Sequence, residues 1–157
     1  MRERILRREQ VLEVPIGEAF DFFSRAENLQ AITPPLLRFR ITSQTSAEIG
    51  AGTLIAYRLR VHALPVRWLT RIEEWDPPHG FVDRQISGPY ALWHHTHCFE
   101  ELGPDRTRMT DVVRYGHRFG PLGTLAEHLL VRRDLDRIFD YRRDSIPRLL
   151  AGGGSPA

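Results

Sequence analysis

Between residues 38 and 118 the chain carries six segments with strand character, at 38–42, 52–62, 66–75, 81–86, 91–101 and 107–118. The connections between them are short and rich in turn formers: Gly50-Ala51-Gly52, Leu64-Pro65, Asp76-Pro-Pro-His-Gly80, Ser87-Gly88-Pro89 and Gly103-Pro104-Asp105. A parallel crossover needs a dozen residues or more, so connections of this length restrict consecutive strands to antiparallel hairpins. The chain is therefore committed to a meander.

The flanks supply the remaining elements. Residues 4–14 alternate and stop at Pro15, reading as a first strand, and Ile16, Ala19, Phe20 and Phe23 recur at helical spacing over 16–24. A second short helix is expected over 27–32, ended by Thr33-Pro34-Pro35. From 121 to 150 the period changes. Leu122, Leu125, Ala126 and Leu129, then Leu135, Ile138, Phe139, Ile146 and Leu149, trace an apolar stripe with a register shift near 131–133, and Pro147 marks the last turns. One strand, two short helices, a six-stranded meander and a long terminal helix make an α+β fold, a curved sheet wrapped around its closing helix. Residues 1–150 form one domain on this reading, and 151–157 a disordered tail.

Composition narrows the chemistry. A length of 157 residues with 41% hydrophobic and 27% charged residues fits one globular domain. All 22 basic residues are arginine, which removes Schiff-base and P-loop lysine chemistry. Cys98 is the lone cysteine, so an intrachain disulfide and a multi-cysteine zinc site are excluded. No apolar run reaches the ~20 residues of a membrane helix, and the charged start Met1-Arg-Glu-Arg does not read as a signal peptide. A cytoplasmic location is expected. The arginines of the last segment alternate with Asp134, Asp136, Asp140 and Asp144, a solvated-face pattern that argues against a nucleic-acid partner.

The candidate site lies on residues 80–99. Alternate strand positions share a face, so Trp93, His95, His97 and Phe99 form one stripe and Phe81, Asp83 and Gln85 another, with Arg84, His94, Thr96 and Cys98 turned away. If Glu101 and Thr107 flank a five-residue loop, His97 falls opposite Asp111 and Trp93 opposite Tyr115. A pairing centred on Gly88-Pro89 sets Asp83 opposite His95, or opposite His97 after a slip of one pair. Opposed side chains lie ~4.5–5.5 Å apart at Cβ, which predicts an Asp–His network facing the helix. Tyr57 and Trp68 are expected to join its apolar wall, and Arg114 and Arg118 to rim the entrance. His62, His79, His117 and His128 are expected at the surface. His95-x-His97 with an aspartate suits zinc or iron by stereochemistry, but an HxH pair alone is a weak signal, and no metal or cofactor is expected.

These features together resemble the START-like, helix-grip superfamily, also called the polyketide cyclase/dehydrase and lipid-transport or SRPBCC group. The resemblance rests on the order of elements, on Val14-Pro15 leading into Glu18-Ala-Phe-Asp-Phe-Phe23, and on the terminal helix. Phe81-Val-Asp-Arg-Gln85, Gly88-Pro-Tyr90, Trp93-x-His95-x-His97-x-Phe99 and Ile138-Phe-Asp-Tyr-Arg142 are similar to a bacterial subgroup labelled SRPBCC proteins or cell-division inhibitors. The resemblance implies a single-domain binder of a hydrophobic small molecule: a lipid, isoprenoid or polyketide-like compound.

The ligand-binding set expected from the residues is Tyr57, Trp68, Asp83, Gln85, Trp93, His95, His97, Phe99, Asp111 and Tyr115, with no residue assigned as catalytic. Two alternatives stand beside it. One is a cyclase or dehydratase using His95 or His97 as general base. The other is an interaction module docking through Arg132, Arg133, Arg142 and Arg143. A monomer and a homodimer fit equally.

Overall fold

A computed structural model describes residues 3–117 and 124–152, the side chains of 124–128 excepted. Seven antiparallel strands form one sheet in the order β1-β7-β6-β5-β4-β3-β2. They are β1 (Arg4–Leu12), β2 (Arg40–Gln44), β3 (Leu54–Val61), β4 (Leu64–Asp76), β5 (Gly80–Ser87), β6 (Leu92–Gly103) and β7 (Arg106–Gly116). Helices α1 (Ile16–Phe23) and α2 (Ala26–Ala31) follow β1, and α3 (Thr124–Ala151) closes the chain against the concave face. From β2 to β7, strands adjacent in sequence are adjacent in the sheet, as short turns require. The first strand closes the order by pairing with the last, Arg4 opposite Tyr115 through Leu12 opposite Thr107.

Several boundaries differ from the sequence reading, each for a physical reason. The β3–β4 turn is His62-Ala63 rather than Leu64-Pro65. Both of its residues hold positive φ, 49° and 67°, the geometry of a two-residue hairpin whose twist matches its strands. Pro65 then sits within β4, opposite Arg60. The second strand starts at Arg40 because Pro35–Leu37 form a turn of 3-10 helix and Arg38 takes the left-handed conformation. Helix α3 runs unbroken through 131–133, where a register shift was expected. Leu129, expected on the apolar stripe, is 59% exposed. Leu122 and residues 153–157 lie outside the described residues, as do the side chains of Leu125, Ala126 and His128.

Proline 147 stands inside α3 and cannot donate to the carbonyl of Arg143 one turn back. That carbonyl is taken instead by Gln10 Nε2 of β1 at 2.8 Å. The last turns of the helix are thus fastened to the first strand. Ile146 beside them is buried with Leu12, Phe20, Phe22, Phe99 and Met109 in a core that joins α1, the sheet and the end of α3.

A second cluster packs Val113 and Tyr115 of β7 against Leu135 and Phe139 of α3. A third, of Ala26, Ile55 and Ile72, sits under α2. Between these clusters the helix and the sheet do not meet.

Candidate functional site

The gap between helix and sheet is a cavity of about 820 Å³. Its wall is mainly apolar and aromatic, with Ile55, Tyr57 and Leu59 from β3, Trp68 from β4, Trp93 from β6 and Phe139 from α3. A volume of this size is typical of small-molecule sites. The aromatic wall is interlocked: Trp68 stacks on Tyr57 with centroids 5.7 Å apart and meets Trp93 edge-on at 5.2 Å. The Trp68 indole N–H donates to Thr70 Oγ1 at 3.1 Å, so its polar edge is satisfied within the wall.

Imidazoles and a carboxylate buried in the wall cluster at one patch, Asp83, His95 and His97. Strand register places Asp83 opposite His95, and His97 opposite Asp111. The four side chains close a ring in which each imidazole lies between both carboxylates. His95 Nε2 is 2.7 Å from Asp111 Oδ1, and His97 Nε2 is 2.8 Å from Asp83 Oδ2. An ionised carboxylate only accepts, so both nitrogens are donors here. The other two edges are longer: His95 Nδ1 to Asp83 Oδ2 is 3.5 Å, and His97 Nδ1 to Asp111 Oδ1 is 3.2 Å. This last edge is an ion-pair distance without hydrogen-bond alignment, and His97 Nδ1 has no aligned partner among the described residues. The two rings lie face to face, centroids 3.7 Å apart, and Phe81 stacks on the outer face of His97 at 4.0 Å.

Burial dominates the electrostatics of this ring but does not decide every group. It disfavours the charge on Asp111, yet the hydrogen bond from His95 and the close imidazole of His97 outweigh it and hold the carboxyl far below the usual range. Asp83 is also held low, because attraction from His95 and the hydrogen bond from His97 overcome burial. Burial lowers His95, assisted by repulsion from His97. His97 is raised, because Asp111 and Asp83 together exceed the burial penalty. The two imidazoles are thus shifted in opposite directions while both carboxyls are held low. His95 Nδ1 faces Asp83 across the longest edge.

Six of the ten expected site residues line the cavity: Tyr57, Trp68, Asp83, Trp93, His95 and His97. The other four share their face without reaching it. Asp111 lies behind both imidazoles. Phe99 is buried at the α1 end, 5.8 Å from the ring of Phe20 and 5.4 Å from that of Phe23. Tyr115 is covered by Leu135 and Phe139. Gln85 is a clamp: its Nε2 donates to the Tyr90 carbonyl at 2.8 Å and its Oε1 accepts from the Tyr90 N–H at 3.2 Å. Gly88 is required beneath that clamp, since a Cβ there would come within 2.5 Å of Gln85 Oε1. Gly80 plays the same part across from His97, whose carbonyl oxygen would lie 2.3 Å from an added Cβ.

Other expectations need correction. Arg114 does not rim the entrance; it sits on the outer face beside His94 and donates from Nε to Glu3 Oε1 at 2.6 Å. Arg118 lies outside the described residues. His117, expected at the surface, is half-buried in the cavity wall beside Tyr90. His62 is exposed, yet its Nε2 meets Asp134 Oδ2 at 2.7 Å and ties the β3–β4 hairpin tip to α3 across the mouth. Arg142 is not a free surface arginine. It lines the cavity with its guanidinium carbon 5.1 Å from the Phe139 ring centroid, and its positive charge acts on Asp83. The helical spacing Leu135, Phe139, Arg142, Ile146 already put it on the buried face, but its residue type suggested water.

Solved structures share this architecture at low sequence identity. The aromatase/cyclase Zhui from Streptomyces sp. R1128 is 15% identical and superposes with a TM-score of 0.76 over 98% of this chain and 100% of its own. A START superfamily protein from Mycobacterium smegmatis gives 0.70 at 10% identity, over 92% and 98%. Norcoclaurine synthase from Thalictrum flavum, solved with dopamine and hydroxybenzaldehyde, gives 0.68 at 14%, over 99% and 90%. No curated protein matches the chain by sequence. No helix among the described residues is long and apolar enough to cross a membrane. Residues 12–138 match the family of polyketide cyclases/dehydrases and lipid-transport proteins. With the helix-grip architecture around its cavity, this chain belongs to that family.

Proposed function

We propose that residues 1–150 act as one binding domain for an apolar, partly aromatic small molecule carrying a polar end. The observation that carries this reading is the cavity of about 820 Å³, apolar on most of its wall and polar at one patch. Burying a guest there contributes roughly 25 cal/mol per Å² of apolar surface, while Asp83, His95, His97 and Arg142 orient its polar end. A fold neighbour solved with two small aromatic molecules supports an aromatic guest. The arginines of α3 support a role without nucleic acid, since Arg132 and Arg143 lie beside Asp136 and Asp140. A cytoplasmic carrier, monomeric or homodimeric, is the form that fits.

Native mass spectrometry of protein taken from its own host, followed by extraction of what travels with it, tests the reading. A bound apolar compound is expected, and His97→Ala should weaken its binding roughly tenfold while the fold persists. Failure of wild-type protein to bind any of a panel of fatty acids, isoprenoids and polycyclic phenols would end the proposal.

A second reading, a cyclase or dehydratase, is favoured by one observation. Two imidazoles with opposite pKa shifts face the same hollow, one biased toward holding a proton and the other toward releasing it. Turnover lost on replacing either histidine, with the guest still bound, distinguishes it from carriage. The interaction-module reading loses Arg142 to the cavity wall.

A further inference from the structure

The HxH pair is a weak metal signal in sequence because the pattern leaves open whether Asp83 or Asp111 is the third ligand and does not hold the rings. The fold resolves both. One ligand atom from each of Asp83, His95 and His97 lies within 4.8 Å of the other two on the cavity wall, and Asp83 Oδ2 faces His95 Nδ1 and His97 Nε2. The carboxylate oxygen stands 2.8 Å from one nitrogen and 3.5 Å from the other. An ion about 2.1 Å from each donor needs neighbouring donors roughly 3.0–3.4 Å apart, and the two observed separations bracket that range.

Behind the trio, Asp111 Oδ1 faces the remaining nitrogen of each ring, at 2.7 Å from His95 Nε2 and 3.2 Å from His97 Nδ1. A carboxylate on the far nitrogen fixes tautomer and ring direction, the arrangement by which metal-bound histidines are held. Here Asp111 holds His95 by a hydrogen bond and faces His97 Nδ1 at ion-pair distance. All four groups are buried or nearly so, and the three donors line a cavity that leaves room for further ligands on its side.

We propose that Asp83, His95 and His97 form a binding site for a divalent first-row transition ion, with Asp111 as the positioning residue. Two imidazoles and one carboxylate select zinc, iron(II) or cobalt over magnesium and calcium, which take all-oxygen sets. The ion occupies the place now held by the proton between His97 Nε2 and Asp83 Oδ2, with its open positions directed into the cavity. This assignment does not depend on what organic molecule, if any, the cavity holds.

Untagged protein titrated anaerobically with Co2+, Zn2+ and Fe2+, followed by calorimetry and by the visible spectrum of the cobalt form, tests the site. One equivalent per chain is expected at micromolar or tighter affinity, with a ligand-field spectrum showing nitrogen donors. His95→Ala, His97→Ala and Asp83→Ala should each weaken binding at least 100-fold. Asp111→Asn should weaken it about 10–100-fold and shift the cobalt spectrum. The control His79→Ala, on the exposed β4–β5 turn, should change nothing. Absence of stoichiometric binding by folded wild-type protein overturns the proposal, a result that needs no variant to fold. Binding that survives all three ligand substitutions overturns it as well.

Discussion

The two halves of β6 carry the same alternating pattern and do opposite things. At the α1 end, Phe99 is enclosed by Phe20, Phe23 and Met109 in a solid core. Six residues earlier on the same face, Trp93 looks into an open cavity, with His95 and His97 between the two. What separates them is the partner above the sheet. Helix α1 and the end of α3 press directly on Phe99, whereas Trp93 packs beside Leu135 and Phe139 of α3 only in part and keeps the rest of its surface on the cavity. An inward stripe on a curved sheet is therefore core or cavity wall according to how close its helix lies.

That contrast can be broken by unequal mutational costs. Phe99→Ala should destabilise the fold by about 3–5 kcal/mol, because it opens a void in a packed cluster. Trp93→Ala, which removes more atoms from a wall already facing space, should cost less than half as much. Chemical denaturation of both variants decides it, and equal losses would mean the cavity is closed in solution.

The polar patch between the two ends sharpens the comparison through pH. His97 has a raised folded pKa, so its contribution is full below the unfolded value of about 6.5 and fades as pH rises through the folded value. His97→Gln should therefore cost about 1.5–3 kcal/mol at pH 6, the range for a hydrogen bond to a charged group, and less at alkaline pH. His95 has the opposite sign: its neutral ring must be charged as pH falls, so it opposes folding below about 6.5. In metal-free protein, histidine NMR should show the two rings titrating on opposite sides of that value.

The smallest effect is expected at the mouth. The His62–Asp134 contact is half-exposed, so His62→Ala should change stability by less than about 0.5 kcal/mol. It should nevertheless speed release of a cavity guest, as read by stopped-flow displacement of a fluorescent probe. Unchanged release would show that the hairpin tip does not control the mouth.

Much of this arrangement was legible in the chain. Strand alternation and hairpin lengths placed His97 opposite Asp111 and Trp93 opposite Tyr115, and left Asp83 opposite His95 or His97, of which the fold takes His95. The order of elements foretold the sheet and its closing helix. Local pattern does not encode distance between layers, so Phe99, Tyr115 and Asp111 read the same as Trp93. Gln85 looked like a ligand group because its bonds to Tyr90 depend on a close approach to Gly88 that a Cβ there would obstruct. The His62-Ala63 turn lacks the Asn or Gly that normally announces such a bend. Arg142 was hidden by its charge, although its spacing was that of a core position.

By handing the Arg143 carbonyl to Gln10, Pro147 rivets one end of the long helix to the opening strand. Towards the other end, where Leu129 and Leu130 are exposed, the polar ties among the described residues are partly exposed ion pairs, Asp134 with His62 and Asp136 with Arg8. Such pairs contribute little, so a bulkier guest is accommodated at lower cost on that side.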